Sequence, residues 1–272
     1  MRELIENLYR YCFARPYFFK LNSYLHSLAL NGMGVMNWKT SEASGETHFL
    51  RGQFANRRDA VVIDVGAHTG AYVRAICDLS PTTRVFAFEP HPATFARLAA
   101  LAWPANVHLV NAGVGSQAGT MTLFDYAADD GSEHASLLRG VIETIHKAPA
   151  VEHQVEITTL DSFAIAHSLT FIDLLKIDTE GNELDVLKGA TRLIEQQAIG
   201  VVQFEFNAMN VISKSFLADF MALLQGYEFF RLLPRGWIPI LRYEARLHEI
   251  FAFQNIVAVS ASAGKRLPGL SS

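Results

Sequence analysis

A chain of 272 residues, 50% hydrophobic and 18% charged, has ample apolar material for a core and no disordered composition. Its 23 Lys and Arg against 27 Asp and Glu give a formal charge of −4, and no basic block is longer than Arg57-Arg58, which argues against a nucleic-acid partner. Two cysteines, Cys12 and Cys77, cannot build a disulfide framework and read as thiols of a reducing compartment.

Residues 1 to about 35 read as helices with apolar and aromatic faces, closing at the turn "NGMG". Glu3 and Glu6 stand where a signal peptide would carry only positive charge. Arg15, Pro16, Lys20 and His26 interrupt the aromatic stretch that follows, so no membrane insertion is expected and the cytoplasm is the expected location. In residues 36–60, "SGETHFL" predicts a turn and then a short strand. From residue 61 the pattern becomes regular. Apolar runs "AVVIDV", "RVFAFE" and "VHLVNA" alternate with the helical stretches "AYVRAICDL" and "PATFARLAALA". Strands apolar on both faces, alternating with helices, predict a doubly wound, mostly parallel α/β sheet.

In the middle, "GTMTLFDY" and "HQVEITTL" alternate like strands around a long polar loop, about 126–150, with the composition of a mobile lid. The regular pattern then returns with strand "FIDLLKID", helix "NELDVLKGATRLIEQ", strand "IGVVQFEF" and helix "SKSFLADFMALLQG". Two strands, "YEFFRLL" and "IFAFQNIVAVS", close the chain across a long connection. The organisation expected is a helical extension at 1–45, one ligand-binding domain at 46–262 and a frayed tail at 263–272.

Ligands of open α/β sheets bind beyond the carboxyl ends of the strands, so the residues ending each apolar run are the candidates. Asp64-Val65-Gly66-Ala67-His68-Thr69-Gly70 comes first. Alone, it also admits the less favoured reading of a plain strand-to-helix turn. The central glycine of a dinucleotide fingerprint is missing, and Asp64 would repel a diphosphate but suit a cationic ligand. Glu89, followed by Pro90, ends the second strand, where a carboxylate can accept hydrogen bonds from ribose hydroxyls. Asn111 and Ala112 end the third, where Asn111 reads equally as a residue lining an adenine and as a plain turn residue. These features weigh against an NAD-dependent oxidoreductase, the competing reading.

An acidic-Gly-x-x-x-Gly turn with a second-strand Glu resembles the class I S-adenosylmethionine-dependent methyltransferases. The set "VVIDVGAHTG", "VFAFEPHP", "NAGVG" and "TLDSF…FIDLLKIDTEGNELDVLKGA" more closely resembles the FkbM methyltransferases, over roughly residues 45–260. His68 departs from that pattern, where Asn is common. The resemblance implies a seven-stranded Rossmann-like sheet with an antiparallel last strand. It also implies S-adenosylmethionine held by Asp64, Gly66, Ala67, His68, Gly70, Glu89, Pro90, Asn111, Ala112 and Asp178, and O-methylation of a sugar or secondary-metabolite hydroxyl. A methyltransferase acting on nucleic acid is a weaker alternative, because basic patches are lacking.

A hydroxyl is a poor nucleophile at neutral pH, so a base should help remove its proton. Asp178 and Glu205, ending the fourth and fifth strands, are the candidates, with Lys176 as their ion-pair partner and Glu180 beside them. Asp178, Glu205 and Asn207 are also a ligand set suited to Mg²⁺. Hydrogen-bonded carboxylates are the simpler reading, and no metal site is expected. His134, in the long loop, is a further base candidate, although a solvated loop histidine is the simpler reading. Asp161, in "TTLDSF", reads as the N-cap of its own helix.

Overall fold

The computed structural model describes residues 1–55 and 57–263. Helices α1 (Arg2–Phe13) and α2 (Phe19–Gly32) form the expected N-terminal pair, joined by a 3-10 turn at Pro16–Phe18. The strand expected within "SGETHFL" is instead helix α3 (Glu46–Phe54). Gly45, at φ +88°, reverses the chain just before it, and a Cβ there would meet the Leu233 carbonyl oxygen at 2.4 Å. Phe49, Leu50, Gln53 and Phe54 are all buried, a helical spacing that outweighs the local alternation.

The regular region follows expectation, with β1 (Val61–Val65), α4 (Ala71–Leu79), β2 (Arg84–Phe88), α5 (Pro92–Ala99) and β3 (Val107–Val110). A small side sheet then forms from β4 (Gly113–Val114), β5 (Gly119–Tyr126) and β6 (Ala150–Thr158), in the order β4-β6-β5. After α6 (Leu160–Ala166) and β7 (Ile172–Ile177), the single helix expected at 182–196 is two, α7 (Glu183–Lys188) and α8 (Thr191–Glu195). Asp161 accounts for the second start. Its carboxylate accepts from the amides of Arg192 (2.8 Å) and Leu193 (3.1 Å), while Thr159 caps α6, so Asp161 caps a neighbouring helix and not its own.

The chain continues through β8 (Ile199–Phe206), α9 (Met209–Ser213), α10 (Leu217–Leu223), β9 (Tyr227–Leu233), β10 (Gly236–Pro239), α11 (Ala245–His248) and β11 (Gln254–Ser260). The main sheet runs β10-β9-β11-β8-β7-β1-β2-β3. The β1, β2, β3, β7 and β8 strands are parallel, and β11 is antiparallel to both β8 and β9, as the resemblance implies. The β10 strand extends the expected seven to eight. Except for Ala263, the expected tail lies outside the described residues.

Alternate residues feed two cores. Ile63, Val65, Phe86, Phe88, Leu175 and Ile177 join one apolar cluster, while Val62, Val85, Ala87 and Leu174 join a second that also takes in Phe49, Leu50 and Phe54 of α3. Strand order reverses between β1 and β7, so their carboxyl ends open the crevice of a doubly wound sheet.

Candidate active site

Strand register places the polar residues of the site in rows. Asp64 pairs with Lys176, and Lys176 with Gln203, so β1, β7 and β8 contribute one polar side chain each, abreast on the face that α3 and α4 cover. Two residues further on, the same face carries Gly66, Asp178 and Glu205. The strands approach so closely here that a Cβ at Gly66, φ +89°, would lie 1.8 Å from the Asp178 carbonyl oxygen. A cavity of about 770 Å³ opens over these rows, and α3 walls it with Glu46, Thr47, Leu50 and Arg51.

Lys176 is buried, and its Nζ donates to Asp178 Oδ2 at 2.9 Å. Burial alone would push its pKa down. The charges of Asp178, Glu46, Asp64 and Glu205 outweigh that and hold the ammonium far more firmly than usual. Around this one cation the carboxylates are short of partners. Both oxygens of Asp64 are buried without a hydrogen bond, and burial pushes its pKa to about 7 against the pull of Lys176. Burial, then the charge of Asp178, pushes Glu205 well up. Burial also raises Glu46, although Gln203 Nε2 donates to its Oε1 at 2.8 Å. Tyr72 completes that chain by donating its hydroxyl to Gln203 Oε1 at 2.7 Å.

The turn after β1 is held from β2. Gly66 and Ala67 amides both donate to the Phe88 carbonyl, and the His68 amide donates to Glu89 Oε2 at 2.9 Å. Glu89 Oε1 accepts from the His91 amide at 2.8 Å. Burial nevertheless pushes Glu89 to about 7, with the two amide bonds opposing. His68 sits at φ +45°, a left-handed conformation that Asn and His tolerate better than most residues, which accounts physically for either at this position. Glu89 and Pro90 line a second, smaller cavity of about 60 Å³ that shares Gly66, His68, Asp178 and Glu180 with the first. Asn111 and Ala112 line neither. Asn111 Nδ2 instead donates to the Glu89 carbonyl at 2.9 Å and braces the β2 end.

The loop between β5 and β6 folds over the crevice. Asp125 accepts from the amides of Gly131 and Ser132, and Ser136 Oγ donates to the Glu180 carbonyl at 2.7 Å. His134 reaches the large cavity, in place of the solvated loop position of the simpler reading, with its Nδ1 3.2 Å from Glu180 Oε1. The Glu180 bond raises the His134 pKa, which suits a cationic latch better than a proton acceptor. Glu180 itself is raised by burial, with His134 opposing.

Asp178, Glu205 and Asn207 meet at the cavity, but Lys176 already supplies cationic charge to Asp178, and Asn207 Oδ1 accepts from the Met209 amide. The one group of described residues whose ligand atoms lie close enough to share an ion is elsewhere: His91, Asp130 and His153. There both ring Nε2 atoms lie against Asp130 Oδ1, at 2.9 and 2.7 Å. His91 Nδ1 accepts from the Thr94 amide, so its proton sits on Nε2 and points at Asp130. This is a hydrogen-bonded knot that ties the loop to α5.

Sequence reasoning missed Glu46, Gln203, Tyr72 and Glu183. The last accepts from the Thr179 and Gly181 amides and shapes the turn after β7, and burial pushes it to about 7. A carboxylate just past the "DTEGN" turn was its only signal. For the other three no local signal exists, because they meet only through tertiary folding.

An unpartnered, buried carboxylate on the cavity wall, beside a turn pinned open by Gly66, fits the cationic portion of S-adenosylmethionine; Glu89, at the smaller cavity, fits its ribose. Similar proteins include the hexuronic acid methyltransferase AglP of Haloferax volcanii, 28% identical over 176 residues, 63% of this chain and 66% of that protein. The chain thus spans just under two thirds of that relative's length. The 2-O-methyltransferase NoeI of Sinorhizobium fredii is 26% identical over 189 residues, 65% of this chain and 76% of that protein. Among solved structures, the Methanococcus jannaschii fibrillarin pre-rRNA processing protein is 13% identical with a TM-score of 0.44, covering 81% of this chain and 76% of that one. The Methyltransferase FkbM domain matches residues 64–230, more than half of the sequence, and the chain belongs to the FkbM methyltransferase family.

Proposed function

We propose that the protein is a cytoplasmic, S-adenosylmethionine-dependent O-methyltransferase acting on a hydroxyl of a sugar or other small molecule. The observation that carries this reading is the pairing, on one cavity, of a partnerless carboxylate with a half-engaged one. Among the described residues the side chain of Asp64 has no hydrogen bond, while Asp178 accepts from Lys176 Nζ on Oδ2 and leaves Oδ1 free for a hydroxyl. The first suits a cationic cofactor, the second an acceptor hydroxyl. The names of the two relatives, a hexuronic acid methyltransferase and a 2-O-methyltransferase, support a sugar as the acceptor class. A nucleic-acid acceptor is disfavoured by the acidic net charge and the carboxylate-rich crevice.

S-adenosylmethionine, when bound, supplies a methyl group activated by a sulfonium. Asp64, Gly66, Ala67, His68 and Glu89 are the residues that would hold it. Asp178 Oδ1 takes the proton from the acceptor oxygen, and Lys176 steadies that carboxylate at 2.9 Å. Glu205, biased by burial towards its protonated form, donates a hydrogen bond that orients the acceptor. Glu46 and Glu180 wall the acceptor in, and the loop latched by His134 and Ser136 keeps water out.

Calorimetry tests the cofactor, and product release from a panel of hydroxylated sugars tests the chemistry. S-adenosylhomocysteine should bind and NAD should not. Asp178→Asn should keep that binding and lose about 100-fold in turnover. Binding of NAD in place of S-adenosylhomocysteine, or full turnover by Asp178→Asn, would refute the respective half of the reading.

A further inference from the structure

Helix α3 brings a carboxylate into the crevice from outside the part of the chain that matches the FkbM domain. That match spans residues 64–230 and takes in Asp64, Glu89, Asp178 and Glu205, whereas Glu46 precedes it. Glu46 is held in place all the same. Its helix is fixed to the sheet by the buried side chains of Phe49, Leu50 and Phe54. Its Oε1 accepts from Gln203 Nε2 at 2.8 Å. The orientation of that amide is set twice, because Gln203 Oε1 accepts from the Tyr72 hydroxyl at 2.7 Å and Nε2 also faces Asn255 Oδ1 at 3.3 Å. The other carboxylate oxygen, Oε2, has only a long contact with the Ser44 hydroxyl, at 3.4 Å. Glu46 is thus clamped through one oxygen and offers the other to whatever fills the cavity it lines.

Position and charge narrow what that is. Glu46 and Asp178 feel the same ammonium of Lys176, and each feels the other's charge. An acceptor whose reacting hydroxyl meets Asp178 Oδ1 therefore brings a neighbouring hydroxyl towards Glu46. An ionised carboxylate only accepts hydrogen bonds, so its partner must donate, and a hydroxyl does so without adding charge. An anionic group would instead meet Asp178, Glu205 and Glu180 on the same wall. Trp38, 64% exposed, lines this cavity from the segment before α3. An aromatic face beside carboxylates complements a pyranose, which carries C–H groups on its faces and hydroxyls on its rim.

We propose that Glu46 reads a second hydroxyl beside the one that is methylated, so that the acceptor is an uncharged sugar with a vicinal diol, its ring lying on Trp38. This rests on the methyl-transfer reading. The segment ahead of the family match then selects the acceptor, while the matched residues hold the cofactor and move the proton.

Initial rates test this on methyl pyranosides of neutral hexoses, on analogues lacking the hydroxyl beside the methylated one, and on the matching hexuronic acids. Wild type should prefer the neutral sugar to the uronic acid, and loss of the neighbouring hydroxyl should lower kcat/KM about tenfold. Glu46→Gln keeps an oxygen for Gln203, so the clamp survives. It should raise KM for the full sugar about tenfold and change little for the deoxy analogue. The two penalties should therefore not add, a result that a purely structural Glu46 would not give. Trp38→Ala should raise KM for both sugars alike, and an unchanged KM overturns the ring contact. Penalties that add, or a preference for the uronic acid, overturn the proposal and leave methyl transfer standing. Failure to methylate any sugar overturns the underlying acceptor reading, and the proposal with it.

Discussion

Glu89 and Asp64 end neighbouring strands, and burial pushes both to about 7, yet the fold treats them in opposite ways. Glu89 accepts a backbone amide on each oxygen, from His68 and His91, so its partners are supplied by the fold itself. Asp64 accepts nothing, and the nearest balancing charge is the ammonium of Lys176. A carboxylate anchored by backbone is architecture that a ligand reads. One balanced only by a shared side chain is a charge waiting for a partner, and its titration and its binding are the same event.

The largest effect is expected where that shared balance is removed. Lys176 is the cation that Asp64, Asp178, Glu46 and Glu205 all feel, and it is almost fully buried. Lys176→Met should destabilise the fold by roughly 3–5 kcal/mol at pH 7, because it strands buried carboxylates without a counter-charge. Part of that loss should return on acidification, as the raised carboxyls take up protons. Urea denaturation at two pH values measures both, and unchanged stability would mean that the cluster is balanced by something other than Lys176.

The carboxylates of the crevice are not equally legible in sequence. Asp64, Glu89, Asp178 and Glu205 each end a run of apolar residues, and the run itself announces a buried parallel strand, so their convergence at one crevice follows from fold class. Glu46 could not be found that way. Its partner Gln203 is far along the chain, and the helix that carries it looks like a strand because Thr47 and Phe49 straddle His48 at a period of two. Only the packing of Phe49, Leu50 and Phe54 against the sheet settles it as helical. Asp161 shows the intermediate case. A capping residue was recognisable from its type, but which helix it caps depends on where α8 lies in space. The side sheet was similar, since alternation marks β5 and β6 as strands without saying that they pair apart from the main sheet.

A smaller effect is expected at the backbone-anchored carboxylate. Glu89→Ala deletes the acceptor of the His68 and His91 amides and so loosens the turn as well as the ribose contact. S-adenosylhomocysteine binding should weaken by about 1.5–3 kcal/mol by calorimetry. Glu89→Gln, which keeps one amide acceptor, should lose less. Equal affinities for wild type and the alanine variant would remove Glu89 from the cofactor site.

The most gradual effect, no more than about 1.4 kcal/mol per pH unit, and the one that separates the two regimes most cleanly, is the pH dependence carried by Asp64. Its pKa in the fold is raised from 3.8 to about 7, so the native state binds its proton more tightly than the unfolded chain does. Its contribution to stability is therefore most favourable at low pH and declines as pH rises from about 4 to 7. Cofactor affinity should run the other way. A cationic ligand needs the ionised carboxylate, so below pH 7 affinity should climb with pH by at most about tenfold per unit, then level off. Lys176, Asp178, Glu46 and Glu89 also act on Asp64, so Asp64→Asn is the control that isolates its share. Affinity in that variant should be weaker and flatter across the same range, while its ligand-free stability should decline less from pH 4 to 7. If wild type and variant share one pH profile, Asp64 does not meet the cation, and Glu89, a second cavity-lining carboxyl near 7, becomes the group that sets it.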